Sequence, residues 1–351
     1  MNKSIKAGKR RIGHGEPVFV VAELSGNHNG DIGHALRIID AAADAGADAI
    51  KLQTYTPDTI TLDSDRPEFV VKSANRAWRG KTLYQLYREA ATPWAWHKKL
   101  FAHARKRGLV CFSSPFDTTA VDLLEKLGAP LYKVASFEVV DIPLLERIGR
   151  TRKPVIMSRG MATLEELYLA VKTLKKFGTK EIILLQCVSS YPARPRDMHL
   201  ANIPDLQKRF KGGAGLSDHT MSNDTAVAAA ALGAVVIEKH LTLRRKDGGP
   251  DASFSMEPKE FAALVASVRA TTAAVGTPSY KLSGGEKENL HFRKSLFAVK
   301  DIKKGERFTK NNIRSIRPGN GMAPKFYHSV LGKRAARDIA RATPLHKRLI
   351  D

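Results

Sequence analysis

Gly215-Leu216-Ser217-Asp218-His219 and Ile237-Glu238-Lys239-His240 each end an apolar run, and each closes on an imidazole. Between them, Ser222 to Ala234 is Ala-rich and long enough for about three helical turns. Strand, helix, strand is the expected order. If the two strands are parallel neighbours, His219 and His240 stand at the same end of one sheet. Two neutral imidazoles placed in that way could share a divalent metal. One histidine at a strand end would carry no such message. The pair does, because Ser217 and Glu238 precede the two histidines at the same spacing.

Other polar side chains interrupt apolar runs. Lys51 and Lys133 fall inside them, where a cation is costly without an anionic partner. A structural ion pair is one such partner, and an anionic ligand is another. Lys51, Gln53 and Tyr55 alternate by two and therefore project to one side of their strand. Glu23, Ser114, Ser136, Glu138, Ser189 and Tyr191 also lie where apolar runs stop. A serine at a strand end is ordinary turn chemistry. Several hydroxyls and two cations converging on one cavity suit a phosphate or carboxylate ligand.

The elements that must position these residues repeat. Runs beginning near Val18, Ala49, Leu109, Leu131, Val155, Glu181, Gly215 and Ile237 read as short buried strands. Each is followed by an amphipathic segment. Several of these carry helix signals, such as Asp117 and Thr163 as N-caps and Gly178 as a stop. The pattern predicts an α/β fold, a (β/α)8 TIM barrel whose site lies at the C-terminal ends of its strands. The alternative is an open doubly wound sheet, but no Gly-x-Gly-x-x-Gly follows the first strand. Pro57 to Gly80 is a long polar excursion, of the kind that is often functional.

The 351 residues suffice for one large domain and a small second one. The expected division is a barrel over 1–282, a polar linker over 283–291 and a small β-rich domain over 292–351. From Glu286 onward 17 Lys/Arg face 6 Asp/Glu, a net of +11. In that tail Arg317-Pro318-Gly319-Asn320-Gly321 reads as a turn presenting an arginine. Cys111 and Cys187, the only cysteines, lie in apolar runs and argue for a reducing compartment. No apolar run approaches the length of a membrane span, and no signal-peptide core follows the basic N-terminus. The expectation is a cytoplasmic protein with no membrane partner. The net charge of +23 raises nucleic-acid binding as a reading. The basic residues are scattered through the helices with no binding signature, so none is expected.

Five segments resemble the sialic acid synthase family. They are Ala22-Glu23-Leu24-Ser25-Gly26-Asn27-His28-Asn29-Gly30, Lys51-Leu52-Gln53-Thr54-Tyr55, Tyr132-Lys133-Val134-Ala135-Ser136, Gly215 to Thr220, and Glu238-Lys239-His240. The resemblance runs from about residue 16 to the end. It implies condensation of phosphoenolpyruvate with an open-chain acylamino sugar to a nonulosonic acid. It further implies that the tail is an antifreeze-like (SAF) domain reaching across a swapped homodimer to cap the partner's barrel. Thr82-Leu83-Tyr84-Gln85-Leu86-Tyr87, Thr92-Pro93-Trp94-Ala95-Trp96-His97, Cys111 to Phe116 and Ala323 to Tyr327 are similar to the pseudaminic acid synthase branch. The sugar expected from that branch is 2,4-diacetamido-2,4,6-trideoxy-altropyranose. The N-acetylneuraminate and legionaminate synthase branches are the alternatives. Ser73 to Ala77, where the branch is Gly-rich, and Arg159, where the family has a small residue, depart from the pattern.

Carried over by position, the resemblance gives each candidate a role. Lys51, Ser114, Lys133, Ser136, Ser189 and Ser217 would hold phosphoenolpyruvate. His219 and His240 would bind Mn2+ or Mg2+. Gln53, Tyr55, Glu138, Tyr191, Glu238 and Asp251 would line the sugar side. Glu23 would handle protons or orient the sugar, and Arg317 would arrive from the partner subunit.

Overall fold

The computed structural model describes residues 4–73, 75 and 77–351. Ala74 and Arg76, in the segment that departs from its branch, lie outside them. Eight parallel strands close into a barrel. They are β3 (Phe19–Glu23), β4 (Ala49–Thr54), β5 (Val110–Pro115), β6 (Tyr132–Val134), β7 (Val155–Ser158), β8 (Ile182–Cys187), β9 (Ala214–Asp218) and β10 (Val236–His240). Each pairs with its neighbours in sequence, and β10 closes the ring on β3. The eightfold barrel read from the sequence is therefore the fold.

The helices that clothe the barrel start and stop on local signals. They include α1 (Ile32–Asp44), α2 (Pro57–Ile60), α3 (Leu83–Ala90), α4 (Trp94–Lys106), α5 (Thr118–Lys126) and α6 (Ile142–Arg150). Then come α7 (Leu164–Phe177), α8 (Asn202–Phe210), α9 (Asp224–Ala231) and α10 (Pro258–Val275). Asp117 caps α5 by accepting from the Thr119 and Ala120 amides. Thr163 and Glu166 form a capping box on α7, and Gly178 ends that helix at φ 125°. The 57–80 excursion is not featureless. It opens on α2, held by a capping box between Thr56 and Thr59.

The barrel interior is layered by the two-residue period of its strands. Phe19, Val21, Ala49, Val110, Phe112, Leu131, Ile156, Ile183, Leu185 and Val236 form the apolar lower layers. An N-terminal hairpin, β1 (Ile5–Ala7) with β2 (Arg10–Ile12), adds Ile5, Ala7 and Ile12 to that cluster. In the sequence this segment stands out only as basic. The next inward positions are Glu23, Lys51, Ser114, Lys133, Ser158, Cys187, Ser217 and Glu238, all buried. Apolar packing thus gives way to a polar layer at the C-terminal ends of the strands.

Met1–Gly276 and Thr277–Asp351 are two compact units. The stretch 283–291, expected as a linker, carries a helical segment α11 (Gly284–Glu288), because Ser283 and Glu286 form a capping box. The second unit has its own core, including Leu296, Ile302, Phe308, Ile313, Val330 and Leu345. A two-stranded antiparallel sheet, β11 (Ser295–Ala298) with β12 (Ile313–Ile316), runs through it. No helix among the described residues is long and apolar enough to cross a membrane.

Candidate active site

The polar layer is a cross-linked charge network. The Lys51 ammonium touches Glu23 directly and lies 3.6 Å from Glu238 Oε1. It also donates to Ser114 Oγ at 3.5 Å. Lys133 donates to Ser158 Oγ at 2.7 Å and stands 3.9 Å from Glu238 Oε1. Ser217 Oγ donates to the same carboxylate oxygen at 3.1 Å. The second oxygen of Glu238 and one oxygen of Glu138 have no hydrogen-bond partner among the described residues. Buried polar atoms of this kind call for a partner that the chain itself does not supply.

Burial raises the Glu23 carboxyl to about 7, with Lys51 opposing the shift and Glu238 adding to it. Burial likewise lifts Glu138 to about 7, against the opposing charge of Lys133. Gln53 spans the gap to the next polar group. It donates to Glu23 Oε1 at 3.3 Å and to Ser25 Oγ at 3.0 Å. Ser25 in turn donates to Asp251, whose carboxyl burial also raises.

A hydroxyl pair stands at the ends of β6 and β8. Ser189 donates to Ser136 Oγ at 2.9 Å. The approach requires Gly160, where a Cβ would sit 2.2 Å from Ser136 Cβ. Ser136 and Glu138 lie on a 3-10 turn, Ser136–Val140, and not on a plain strand end.

His219 and His240 come together with ring centroids 5.4 Å apart. The His219 Nδ1 lies 3.0 Å from the Val188 carbonyl. A carbonyl only accepts, so Nδ1 carries a proton. Burial opposes charging of this ring, but the Cys187 side chain and the Val188 carbonyl outweigh it and raise the imidazole above its ordinary value. Burial, with the neighbouring cations, holds His240 well below the usual imidazole range and therefore neutral. Its Nδ1 has no partner among the described residues. Two adjacent imidazoles, one oriented by a backbone carbonyl, are a donor set that a divalent cation takes in place of a ring proton. No group of three or more His, Cys, Asp or Glu side chains converges on one point among the described residues. Further ligands of such a cation would be waters or substrate oxygens.

Aromatic rings cover the histidines. Tyr191 stacks 4.4 Å from His219, and Phe254 lies 5.0 Å from His240. Trp78 packs on both covering rings and donates to the Pro250 carbonyl at 2.7 Å. A cleft of about 510 Å³ opens beside them, lined by Asn75, Tyr191, Arg245, Gly249 and Ala252 among others.

Tyr55 is buried against Tyr87 and Phe116 at 5.7 and 5.1 Å, away from the rings that cover the histidines. Burial and then the Asp251 charge push its phenol upward. Arg317 belongs to the second unit, where it is exposed at the start of a tight loop. A side chain at Gly321 would meet the Leu296 carbonyl at 2.6 Å, so the loop needs that glycine. Ser158, Trp78 and Phe254 join the site without standing among the candidates drawn from the sequence. Ser158 carried a signal, because it shares parity with the inward Ile156. Trp78 had none beyond its place in the long excursion.

A family model described as the NeuB family matches residues 38–280, and one for the SAF domain matches 293–350. The chain belongs to the NeuB family. It is 44% identical over 322 residues to a pseudaminic acid synthase of Campylobacter jejuni, covering 92% of this chain and 93% of that one. A Helicobacter pylori pseudaminic acid synthase is 42% identical over 94% of this chain and 97% of its own length. Among solved structures, an N-acetylneuraminic acid synthetase from Leptospira borgpetersenii, in complex with citrate, superposes with a TM-score of 0.74. It is 34% identical and covers 84% of this chain and 97% of its own. The NeuB-family barrel and the SAF unit agree with the architecture expected from the sequence.

Proposed function

We infer that this chain is a pseudaminic acid synthase, condensing phosphoenolpyruvate with 2,4-diacetamido-2,4,6-trideoxy-altropyranose and releasing phosphate. The observation that carries the reading is the meeting of two buried lysines with two buried histidines at one end of the barrel. It stands in a chain 44% identical to a pseudaminic acid synthase over 92% of its length.

Lys51 and Lys133, with the hydroxyls of Ser114, Ser136, Ser189 and Ser217, hold the phosphate and carboxylate of phosphoenolpyruvate. Buried cations gain most from an anionic partner where water is excluded. His219 and His240 would hold Mn2+ or Mg2+, which would supply Lewis-acid polarisation of the sugar aldehyde. Carbon 3 of phosphoenolpyruvate bonds to the aldehyde carbon, whose oxygen takes up a proton to become a hydroxyl. Water adds at the cationic carbon 2, and the C–O bond to phosphate breaks as the new carbon 2 hydroxyl gives its proton to the departing phosphate and becomes the ketone. Glu23, with a carboxyl near neutrality, takes the proton from that water. Gln53 orients Glu23. Tyr55, Glu138, Tyr191, Glu238 and Asp251 line the sugar side.

The working division is a barrel over 1–282, a connector over 283–291 and a cap over 292–351. The cap serves the partner of a swapped homodimer and brings Arg317 to its site. Exposed apolar side chains support a paired barrel face. Phe137 and Val140, on the turn that packs against α7, join Met161, Leu164 and Leu169 there. The enzyme works in the cytoplasm. Mass spectrometry of the product formed from phosphoenolpyruvate and a panel of acylamino sugars tests the whole reading. Product from another acylamino sugar but not from the trideoxy sugar would reassign the branch, and product from none would overturn the activity.

A further inference from the structure

Strand alternation that points Ser217, His219, Glu238 and His240 into the barrel turns Asp218 and Lys239 outward. These two are register partners on β9 and β10. Both side chains are buried, at 0% and 1% exposure. Lys239 Nζ lies 2.7 Å from Asp218 Oδ2, and it donates to the carbonyls of Thr220 at 2.7 Å and Ser222 at 3.1 Å. Asp218 Oδ1 accepts from the Thr220 amide at 2.9 Å. Its Oδ2 accepts from Thr225 Oγ1, on the first turn of α9, at 2.7 Å.

Each member of the pair is the chain neighbour of one histidine. The lysine that precedes His240 grips the backbone that follows His219. The clamp therefore joins the two strand ends on the face opposite the imidazoles. A buried ion pair is weak evidence for stability, because desolvation offsets most of its attraction. What this one supplies is geometry: four oxygen acceptors of the segment 218–222, Thr220 Oγ1 at 3.4 Å among them, converge on one ammonium. A metal site tolerates little error in ligand spacing, and removal of an outer partner weakens binding by about 10- to 100-fold.

We propose that Asp218 and Lys239 are positioning residues that set the separation of His219 and His240 for a shared divalent cation. The proposal rests on the reading of the two histidines as metal ligands. It gives the outward residues of the two motifs a task that neither substrate contact nor core packing provides.

The test measures Mn2+ binding to the full-length, substrate-free protein, by the electron paramagnetic resonance signal of free Mn2+. Asp218→Asn, Lys239→Met and the double variant are compared with the parent, each shown folded by circular dichroism. Each should bind Mn2+ about 10- to 100-fold more weakly. Phosphoenolpyruvate affinity measured without metal should stay within about twofold, since the inward lysines are untouched. A merely structural role would lower the melting temperature and leave Mn2+ affinity alone. If the charge variants do not fold, Thr225→Val removes one brace on Asp218 and leaves the ion pair. It should then weaken Mn2+ by about two- to tenfold. Folded variants with unchanged Mn2+ affinity would overturn the clamp alone. A parent protein that binds no Mn2+ would overturn the ligand reading and the clamp with it.

Discussion

Lys51 Nζ stands 3.6 Å from Glu238 Oε1, although β3 lies between their strands in the barrel wall. The contact therefore crosses the barrel interior. Burial depresses the Lys51 ammonium, but Glu23 and Glu238 more than offset this and raise it above its ordinary value. Lys133 shares Glu238 at longer range, and there burial prevails and lowers the ammonium. The two lysines are thus unequal, and Lys133 has the weaker claim on the carboxylates.

That inequality makes Lys133→Met the cleaner probe of the anion site. It strands no directly paired carboxylate, whereas Lys51→Met would strand Glu23. A lost charge-assisted hydrogen bond is worth about 1.5–3 kcal/mol. The KM for phosphoenolpyruvate should rise about 10- to 150-fold, with the KM for the sugar changed far less. Steady-state kinetics with each substrate varied in turn checks this, and equal effects on both would mark Lys133 as structural.

His219→Ala and His240→Ala should each cut metal-dependent turnover by at least about a hundredfold, since water replaces a fixed ligand poorly. The fold should survive, because both side chains stand above the apolar layers. Phosphate release across a metal titration is the measurement. Full activity at limiting metal in either variant would remove that histidine from the ligand set.

Glu138 links pH to stability. Its folded carboxyl near 7 lies above the ordinary 4.5, so the folded chain binds more protons between those values. Stability from this group is therefore fully present below about 4.5 and is lost as pH rises to about 7. Glu138→Gln removes the cost of the buried charge. The substrate-free variant should be more stable than the parent at pH 8 by up to roughly 3 kcal/mol, and this gain should vanish near pH 5. Urea melts at the two pH values would show it, and a constant difference between them would contradict it.

Truncation after Gly276 should leave a folded barrel, since the first unit ends there with its own core. Turnover should nevertheless be nearly lost, and Arg317→Ala in the full chain should reproduce most of that loss. A guanidinium over an anionic cavity can stabilise charge and exclude water. Mixing Arg317→Ala chains with His219→Ala chains should restore one working site per heterodimer. Subunit exchange without recovery would place the arginine's action in its own barrel or nowhere.

Trp78→Ala should loosen the cover over the histidines, because the ring holds Tyr191 and Phe254 and ties to Pro250. The expected result is a higher sugar KM with the metal affinity retained. Unchanged sugar kinetics would mean that the ring only packs against its neighbours.

The sequence determined by itself whatever depends on period and local chemistry. Apolar runs of strand length alternating with capped amphipathic segments dictate eight βα units, and α6, α7 and α10 begin and end where their caps and stops stand. Once the barrel is given, the two-residue period assigns inward and outward faces, so Lys51, Lys133, Ser217, Glu238 and both histidines could be read as one layer. Local signals could not say which members of that layer touch. Lys51 finds Glu238 across an intervening strand, and Ser136 meets Ser189 only because Gly160, between them in sequence, leaves room. The burial of the hairpin under the barrel and the descent of Trp78 onto Tyr191 and Phe254 are likewise decisions of packing. Contacts between residues far apart in the chain depend on how a closed barrel brings its strand ends together, and no local pattern encodes that closure.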